Sequence, residues 1–142
     1  MKKFLPYVLL ACIGLSIPTA LTSCSGKSAA ESAAQSSLDA TKDYCELLES
    51  IKDKDSAKAA IEKMDGIADK FAKIAEKAKS AGDTKVDPAV AAKLQEDMKP
   101  ITERMTKAVT TAMPIIGADP ELAKAFQEKS MAMATKMAEA AK

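Results

Sequence analysis

Few side chains in this 142-residue sequence have the chemistry that catalysis or metal binding requires. There is no histidine, the side chain most often used as a general base, and no glycine-rich loop that would cradle a phosphate. Zinc sites need several cysteines or histidines at characteristic spacing, which the chain lacks. Its carboxylates fall on polar helix faces or in helix caps, where they are solvated. We therefore predict a protein that is not an enzyme, with no catalytic residue, no cofactor and no metal.

The methionines offer a second kind of metal chemistry, because thioethers bind Cu(I). Met131, Met133 and Met137 lie close together in the sequence. On a helix, Met133 and Met137 share a face but Met131 points almost opposite, so one helix cannot bring all three to one ion. Three other methionines fall on apolar stripes, where methionine commonly fills gaps: Met64, Met98 and Met105. Core packing is therefore favoured, and an exposed Met131 would mark a contact surface.

The N-terminus has the three-part layout of a secretory signal. Lys2 and Lys3 precede an apolar run from Phe4 to Ile17, and small residues follow up to Cys24. The apolar run is only about 14 residues, whereas a helix that spans a bilayer needs roughly 20. A cleaved signal over residues 1–23 is therefore favoured over a retained transmembrane helix.

The end of this segment, Leu21-Thr22-Ser23-Cys24, resembles the lipobox of bacterial lipoproteins. The resemblance covers only the leader. It implies that signal peptidase recognises Leu21, Thr22 and Ser23, and that Cys24 becomes the first mature residue and carries fatty-acyl chains such as palmitate. Several chains on one residue would anchor the protein firmly in a membrane. Ser25, rather than aspartate, implies sorting to the outer membrane, facing the periplasm. An ordinary secretory signal cut near Ala20 is the alternative.

Cys45 is the remaining mature cysteine, and two interpretations of it stay open. At the edge of an apolar helix face its thiol would be buried and inert. In an oxidising envelope it could instead form an intermolecular disulfide with a second chain. A lipidated Cys24 would leave it no partner within its own chain.

The composition of the mature part predicts an all-α fold. About 119 residues remain after the leader, enough for one domain. Alanine, lysine, glutamate and methionine dominate, all of them good helix formers, and no strand-like alternation of branched residues is present. The mature chain is close to neutral, so neither nucleic acid nor an anionic bilayer surface is an expected electrostatic partner.

Apolar periodicity predicts an antiparallel bundle of about four amphipathic helices in residues 37–142, after a flexible tether over residues 24–36. The helices are expected near residues 37–52, 56–81, 88–113 and 120–142. Pro100 falls opposite the apolar stripe of the third helix and should bend it, with two shorter helices as the alternative. Met113-Pro114 should end that helix. Because the stripes are rich in alanine, a homo-oligomer could complete their burial.

The second predicted helix sorts its charges along the two borders of its apolar stripe. The acidic border contains Glu62, Asp65, Asp69 and Glu76, and the basic border contains Lys63, Lys70 and Lys77. Such borders could select the neighbouring helices, as they do beside a coiled-coil seam. A solvated charged face is the simpler interpretation.

These observations favour a lipid-anchored envelope protein that acts as a binding or scaffold module. Its expected partners are the membrane, through the lipid anchor, and another envelope protein. Two alternatives remain open: a periplasmic Cu(I)-handling or stress protein that uses its methionines and Cys45, and a helical periplasmic chaperone or inhibitor. No motif identifies a family for the helical domain.

Overall fold

Four helices form the folded part of the chain. The computed structural model describes residues 28–82 and 86–140. Its helices are α1 (Ala29–Glu49), α2 (Lys54–Ser80), α3 (Pro88–Gly117) and α4 (Pro120–Ala140). Within the described ranges there is no strand. The prediction of an all-α bundle of about four helices is therefore confirmed, while the leader and residues 24–27 of the predicted tether lie outside the described residues.

α1 begins eight residues earlier than the sequence pattern predicts. The Ser28 hydroxyl accepts a hydrogen bond from the backbone N–H of Glu31 (3.1 Å), and the Glu31 carboxylate accepts one from the backbone N–H of Ser28 (3.0 Å). This reciprocal capping box satisfies two N–H groups that a helix start would otherwise leave unpaired. Residues 29–36 are consequently helical and are not part of a tether, and Ala33 is buried.

α2 follows its predicted pattern closely. The Asp53 carboxylate caps its start by accepting a hydrogen bond from the backbone N–H of Ser56 (2.8 Å). Gly82, just past its end, has a φ of 56°, the left-handed conformation that favours glycine at this position. Its buried residues recur at the three- and four-residue spacing of one helix face: Ala57, Ala60, Ile61, Met64, Ile67, Ala68 and Phe71.

α3 is one helix that contains two prolines. It continues through Pro100, which is exposed, so the single-helix prediction holds there. It also continues through Pro114, so the predicted end at Met113-Pro114 is wrong. Proline removes one backbone hydrogen bond. Continuing the helix by one turn buries Ile116 (2% exposed) in the core, and this burial compensates for the lost hydrogen bond.

α1 and α3 lie side by side and run in the same direction. Near the start of both helices, Glu31 accepts a hydrogen bond from the backbone N–H of Asp87 (3.4 Å). At the end of α1, Glu49 pairs with Arg104 of α3. A smaller hydrophobic cluster fills the space between the first halves of these two helices and consists of Leu38, Val86, Leu94 and Ile101.

α2 and α4 form the second parallel pair. Lys54 at the start of α2 pairs with Asp119 just before α4 (2.5 Å), and Asp69 pairs with Lys136 further along both helices (2.7 Å). Consecutive helices therefore alternate in direction, as predicted. The main neighbours, however, are α1 with α2, α1 with α3, and α2 with α4, whereas α3 and α4 contact each other only sparsely. The larger hydrophobic core draws on all four helices.

Candidate functional site

The residues proposed for signal processing and lipidation, Leu21, Thr22, Ser23 and Cys24, lie outside the described residues. The structure does describe the end of the bundle that lies nearest to these residues along the chain. The start of α1, the end of α2 and the start of α3 meet at this end, which we call the N-terminal end of the bundle. The contact of Glu31 with Asp87 joins α1 to α3 there.

A shallow groove of about 390 Å³ lies at the N-terminal end of the bundle, between the start of α1 and the last two turns of α2. Its lining residues are Ala29, Ser32, Lys73, Glu76, Lys77 and Ser80. The sequence pattern did not indicate this groove, because it assigned residues 29–36 to a tether. The Ser28-x-x-Glu31 capping box was the signal that would have placed α1 beside the end of α2.

Cys45 is fully buried, at 0% exposed, inside the larger core. Its thiol lies 3.7 Å from Oε1 of Glu49, and Glu49 in turn accepts two hydrogen bonds from the Arg104 guanidinium (3.0 and 2.7 Å). Burial, and then the Glu49 charge, raises the pKa of the Cys45 thiol, so the thiol is neutral at pH 7. In the folded chain this thiol is buried and free, which agrees with the first of the two interpretations, a buried thiol.

The methionines of α4 point to different sides of the helix. Met133 is buried, Met137 is half-buried, and Met131 is 60% exposed. Met64 and Met105 lie in the larger core, and Met98 packs against the smaller cluster. Among residues 28–82 and 86–140, no three histidine, cysteine, aspartate or glutamate side chains are grouped so that they could hold a metal ion.

The charged borders of α2 pair with different neighbouring helices. On the acidic border, Asp65 and Asp69 pair with Lys129 and Lys136 of α4. On the basic border, Lys70 pairs with Asp43 of α1 (2.6 Å). The borders thus match α2 with its neighbours, as at a coiled-coil seam, although other members of each border remain solvated.

The perturbed carboxylates of the bundle have structural partners. A hydrogen bond from Lys136 lowers the pKa of Asp69, and one from Lys54 lowers the pKa of Asp119. A hydrogen bond from Arg104 lowers the pKa of Glu49. Hydrogen bonds from Ser56, at the cap of α2, lower the pKa of Asp53. Each shift favours the ionised form, whereas a carboxyl group acting as a general acid needs a raised pKa.

A second shallow groove lies on the outer surface of α3 beside Pro100. It is lined by Gln95, Met98, Lys99, Thr102 and Glu103. Thr102 donates its hydroxyl hydrogen to the Met98 carbonyl oxygen (3.0 Å), so this hydroxyl serves the helix backbone. The groove brings no set of reactive side chains together.

Within the described part of the chain, no helix is both long and apolar enough to cross a membrane. Comparison of the chain with protein-family models, with curated proteins and with solved structures finds no match.

Proposed function

We propose that the chain is a lipoprotein of the bacterial cell envelope, anchored through Cys24, whose helical bundle binds or scaffolds another envelope component without catalysing a reaction. The observation that carries the anchoring is the Leu21-Thr22-Ser23-Cys24 segment, which stands where the apolar N-terminal run ends. Ser25 after the cysteine supports the outer membrane as the destination, with the bundle on its periplasmic side.

The structure of the bundle supports a binding or scaffold role. Among the described residues no buried side chain carries a charge, and the perturbed carboxylates belong to caps and ion pairs. Polar side chains are therefore found on the surface, where they are available to a partner. Met131 is the exposed large hydrophobic side chain of the described surface, and such residues are enriched at protein interfaces.

The anchoring is tested by intact mass spectrometry of the membrane-extracted protein. We expect the mass of a chain that begins at Cys24 and carries acyl groups. In a Cys24→Ser variant the acyl mass should be absent. A wild-type chain without acyl groups, or one that begins elsewhere, would refute the anchoring. The protein would then be a secreted helical domain.

The binding role is tested by site-specific photo-crosslinking in cells. A photoreactive residue at Met131 should yield a discrete adduct with one envelope protein or with a second copy of the chain. The same residue at Gln127, one turn away and also exposed, maps the edge of the contact, and Lys107, exposed on α3, is the control on another helix. If Met131 gives no adduct above the Lys107 background, this surface is not the binding site.

Cu(I) handling remains a weaker second candidate. Met131 and Met133 lie on opposite sides of α4, so they cannot bind the same Cu(I) ion. A Cu(I) ion at Met131 would need a second methionine from another molecule. Titration with a Cu(I) competitor, comparing wild type with a Met131→Leu variant, decides this. Equal affinities in the two proteins would remove the thioether site at this position.

A further inference from the structure

α3 takes part in both hydrophobic clusters, and the division between them falls at Pro100. Its buried and half-buried apolar residues before the proline all belong to the smaller cluster: Val90, Ala91, Leu94 and Met98. Those from position 105 onward all belong to the larger core: Met105, Ala108, Val109, Ala112, Met113, Ile115 and Ile116. Ile101 is the last residue of the smaller cluster along the chain. The two parts of this one helix are therefore held by different sets of contacts.

The first part of α3, residues 88–99, is attached to the rest of the bundle by few contacts. Four buried residues make up the smaller cluster, whereas nineteen make up the larger core. No salt bridge joins residues 88–99 to another described residue, while Arg104 in the second part is paired with Glu49. At the start of α3, the hydrogen bond from the backbone N–H of Asp87 to Glu31 is long, at 3.4 Å. The attachment of residues 88–99 to α1 therefore depends mainly on the smaller cluster.

Pro100 also removes a hydrogen bond that would couple the two parts of α3. Proline has no N–H, so the carbonyl of Glu96 does not receive the hydrogen bond that a continuous helix would supply from position 100. Opening of α3 at this position consequently breaks one hydrogen bond fewer than opening elsewhere in the helix.

α1 has no comparable boundary. It contributes Leu38 to the smaller cluster and Ala40 to the larger core, only two positions apart, with no proline or glycine anywhere in the helix. Its start is held by the capping box and by the burial of Ala33. A motion that separates α1 from α3 is therefore expected in residues 88–99.

We propose that residues 88–99 form a lid that opens from α1 at Pro100 while the larger core stays folded. A helix of about twelve residues is marginally stable in water without its packing, so the lid should unwind when it detaches. Such local opening requires less free energy than unfolding of the whole protein. It uncovers Leu38, which is 1% exposed in the closed form, and with it an apolar face of α1. The lid is independent of the proposed anchoring.

Native-state hydrogen exchange measures this opening residue by residue. Isotopically labelled full-length protein is exchanged in mild detergent, under conditions where the opening equilibrium limits exchange, and amide protection is followed by NMR. We expect residues 92–99 to be at least about a hundredfold less protected than residues 105–113, with similar protection throughout the lid and a rise beyond Pro100. Simple fraying would instead make protection increase steadily with distance from Pro88, and that pattern would overturn the inference.

Low concentrations of urea distinguish lid opening from global unfolding without any substitution. The urea dependence of an opening free energy increases with the surface that the opening exposes. We expect this dependence at residues 92–99 to be less than about a third of that at residues 105–113, because the lid exposes a small part of the buried surface. Equal dependences would show that the lid opens only with the whole bundle, which would contradict the proposal.

Two conservative losses of buried volume test whether the larger core stays folded. Ile116→Val removes a contact that lid opening leaves intact, so it should accelerate exchange about fivefold at residues 105–113 and leave residues 92–99 unchanged. Leu94→Ala removes a contact that is lost in both kinds of opening, so it should accelerate exchange in both regions by a similar factor. Equal acceleration of both regions by Ile116→Val would overturn the inference.

Pro100→Ala tests the position of the hinge. Alanine restores an N–H that can bond to the Glu96 carbonyl, so the closed lid gains a hydrogen bond that the open lid lacks. Exchange of residues 92–99 should become at least about tenfold slower. Lys99→Ala, at the neighbouring exposed position, should change it by less than about twofold. No slowing by Pro100→Ala, or equal slowing by both substitutions, would show that the proline is not the hinge.

Discussion

At the scale of single residues, Cys45 and Glu49 show how a polar group is accommodated beside a thin apolar core. The Cys45 thiol is shielded from water, while the carboxylate of Glu49, one turn later, reaches the surface and binds Arg104 of α3 through two hydrogen bonds. Burial and the Glu49 charge both disfavour the Cys45 thiolate, which is the form that reacts with disulfides and metals. The thiol therefore behaves as a small core residue.

Protection of Cys45 can be measured directly with a thiol reagent. In an unacylated Cys12→Ser, Cys24→Ser protein, we expect Cys45 to react about a hundredfold or more slowly under native conditions than in concentrated urea, because the reagent reaches the thiol only when the structure opens. An added Ser50→Cys, at an exposed position, should react rapidly in the same protein. Fast native reaction of Cys45, or a disulfide-linked dimer on non-reducing electrophoresis, would contradict its burial.

At the scale of helices, end signals determine where α1 begins more clearly than apolar periodicity does. The first two turns of α1 contribute mainly small side chains to the interface, so their periodicity is weak. The capping box between Ser28 and Glu31 nevertheless fixes the first turn. At α3 the opposite holds, since Pro114 is a strong local signal to stop, and burial of Ile116 outweighs it.

The early start of α1 is tested by removing its cap. Ser28→Ala should destabilise the folded protein by about 1 kcal/mol, because a backbone N–H at the helix start loses its acceptor. Ser36→Ala makes the same chemical change within α1 and should be neutral or slightly stabilising, since alanine has the higher helix propensity. Urea unfolding followed by circular dichroism gives both values. If residues 28–36 were an unstructured tether, the two substitutions would have the same negligible effect.

Close approach of the helices depends on the buried alanines. Ala112 of α3 is 0% exposed within the larger core, so Ala112→Leu would insert three carbon atoms into filled space. We expect a loss of about 1–3 kcal/mol in the free energy of unfolding, from strain and helix separation. The same change at Ala132, on the exposed side of α4, should stay within about 0.5 kcal/mol. Equal effects at the two sites would place Ala112 outside the core.

At the scale of the whole molecule, ion pairs between helices are distributed unevenly. They join α2 to α4, α2 to α1, and α1 to α3, the three pairs of helices that pack most extensively. The lysines at the end of α2 are left without such partners. The ion pairs between helices are therefore concentrated in the pairs of helices that pack together.

These ion pairs predict acid sensitivity. The pKa values of Asp69 and Asp119 are lower in the folded than in the unfolded chain, so the stability they contribute is complete above about pH 4 and is lost as the pH falls through the folded values. The pKa values of Lys54 and Lys136 are raised, so their contribution is complete at neutral pH and is lost only in strong base.

Thermal unfolding between pH 7 and pH 2 tests this effect. Asp69→Asn with Asp119→Asn should lower Tm by a few degrees at pH 7, and the difference from wild type should shrink towards pH 2. Asparagine at position 119 retains the cap of α4, so the lost charge is what the comparison measures. Glu62→Gln, at an exposed position on α2 without a salt bridge to a described residue, is the control. A constant difference across the pH range would show that these carboxylates do not act through their charge.

The helical class, the apolar face of α2 and the alternating directions of the helices could be predicted from the sequence, because periodicity and short connections are local properties of the chain. The Leu21-Thr22-Ser23-Cys24 segment is likewise local, and the anchoring that it implies stays a prediction. Which helices are neighbours, by contrast, is known from the packing in the folded chain. Four helices with the same periodicity can pack beside one another in several arrangements. The ion pairs and the buried area between helices distinguish those arrangements. The groove between α1 and α2 exists only once those neighbours are set.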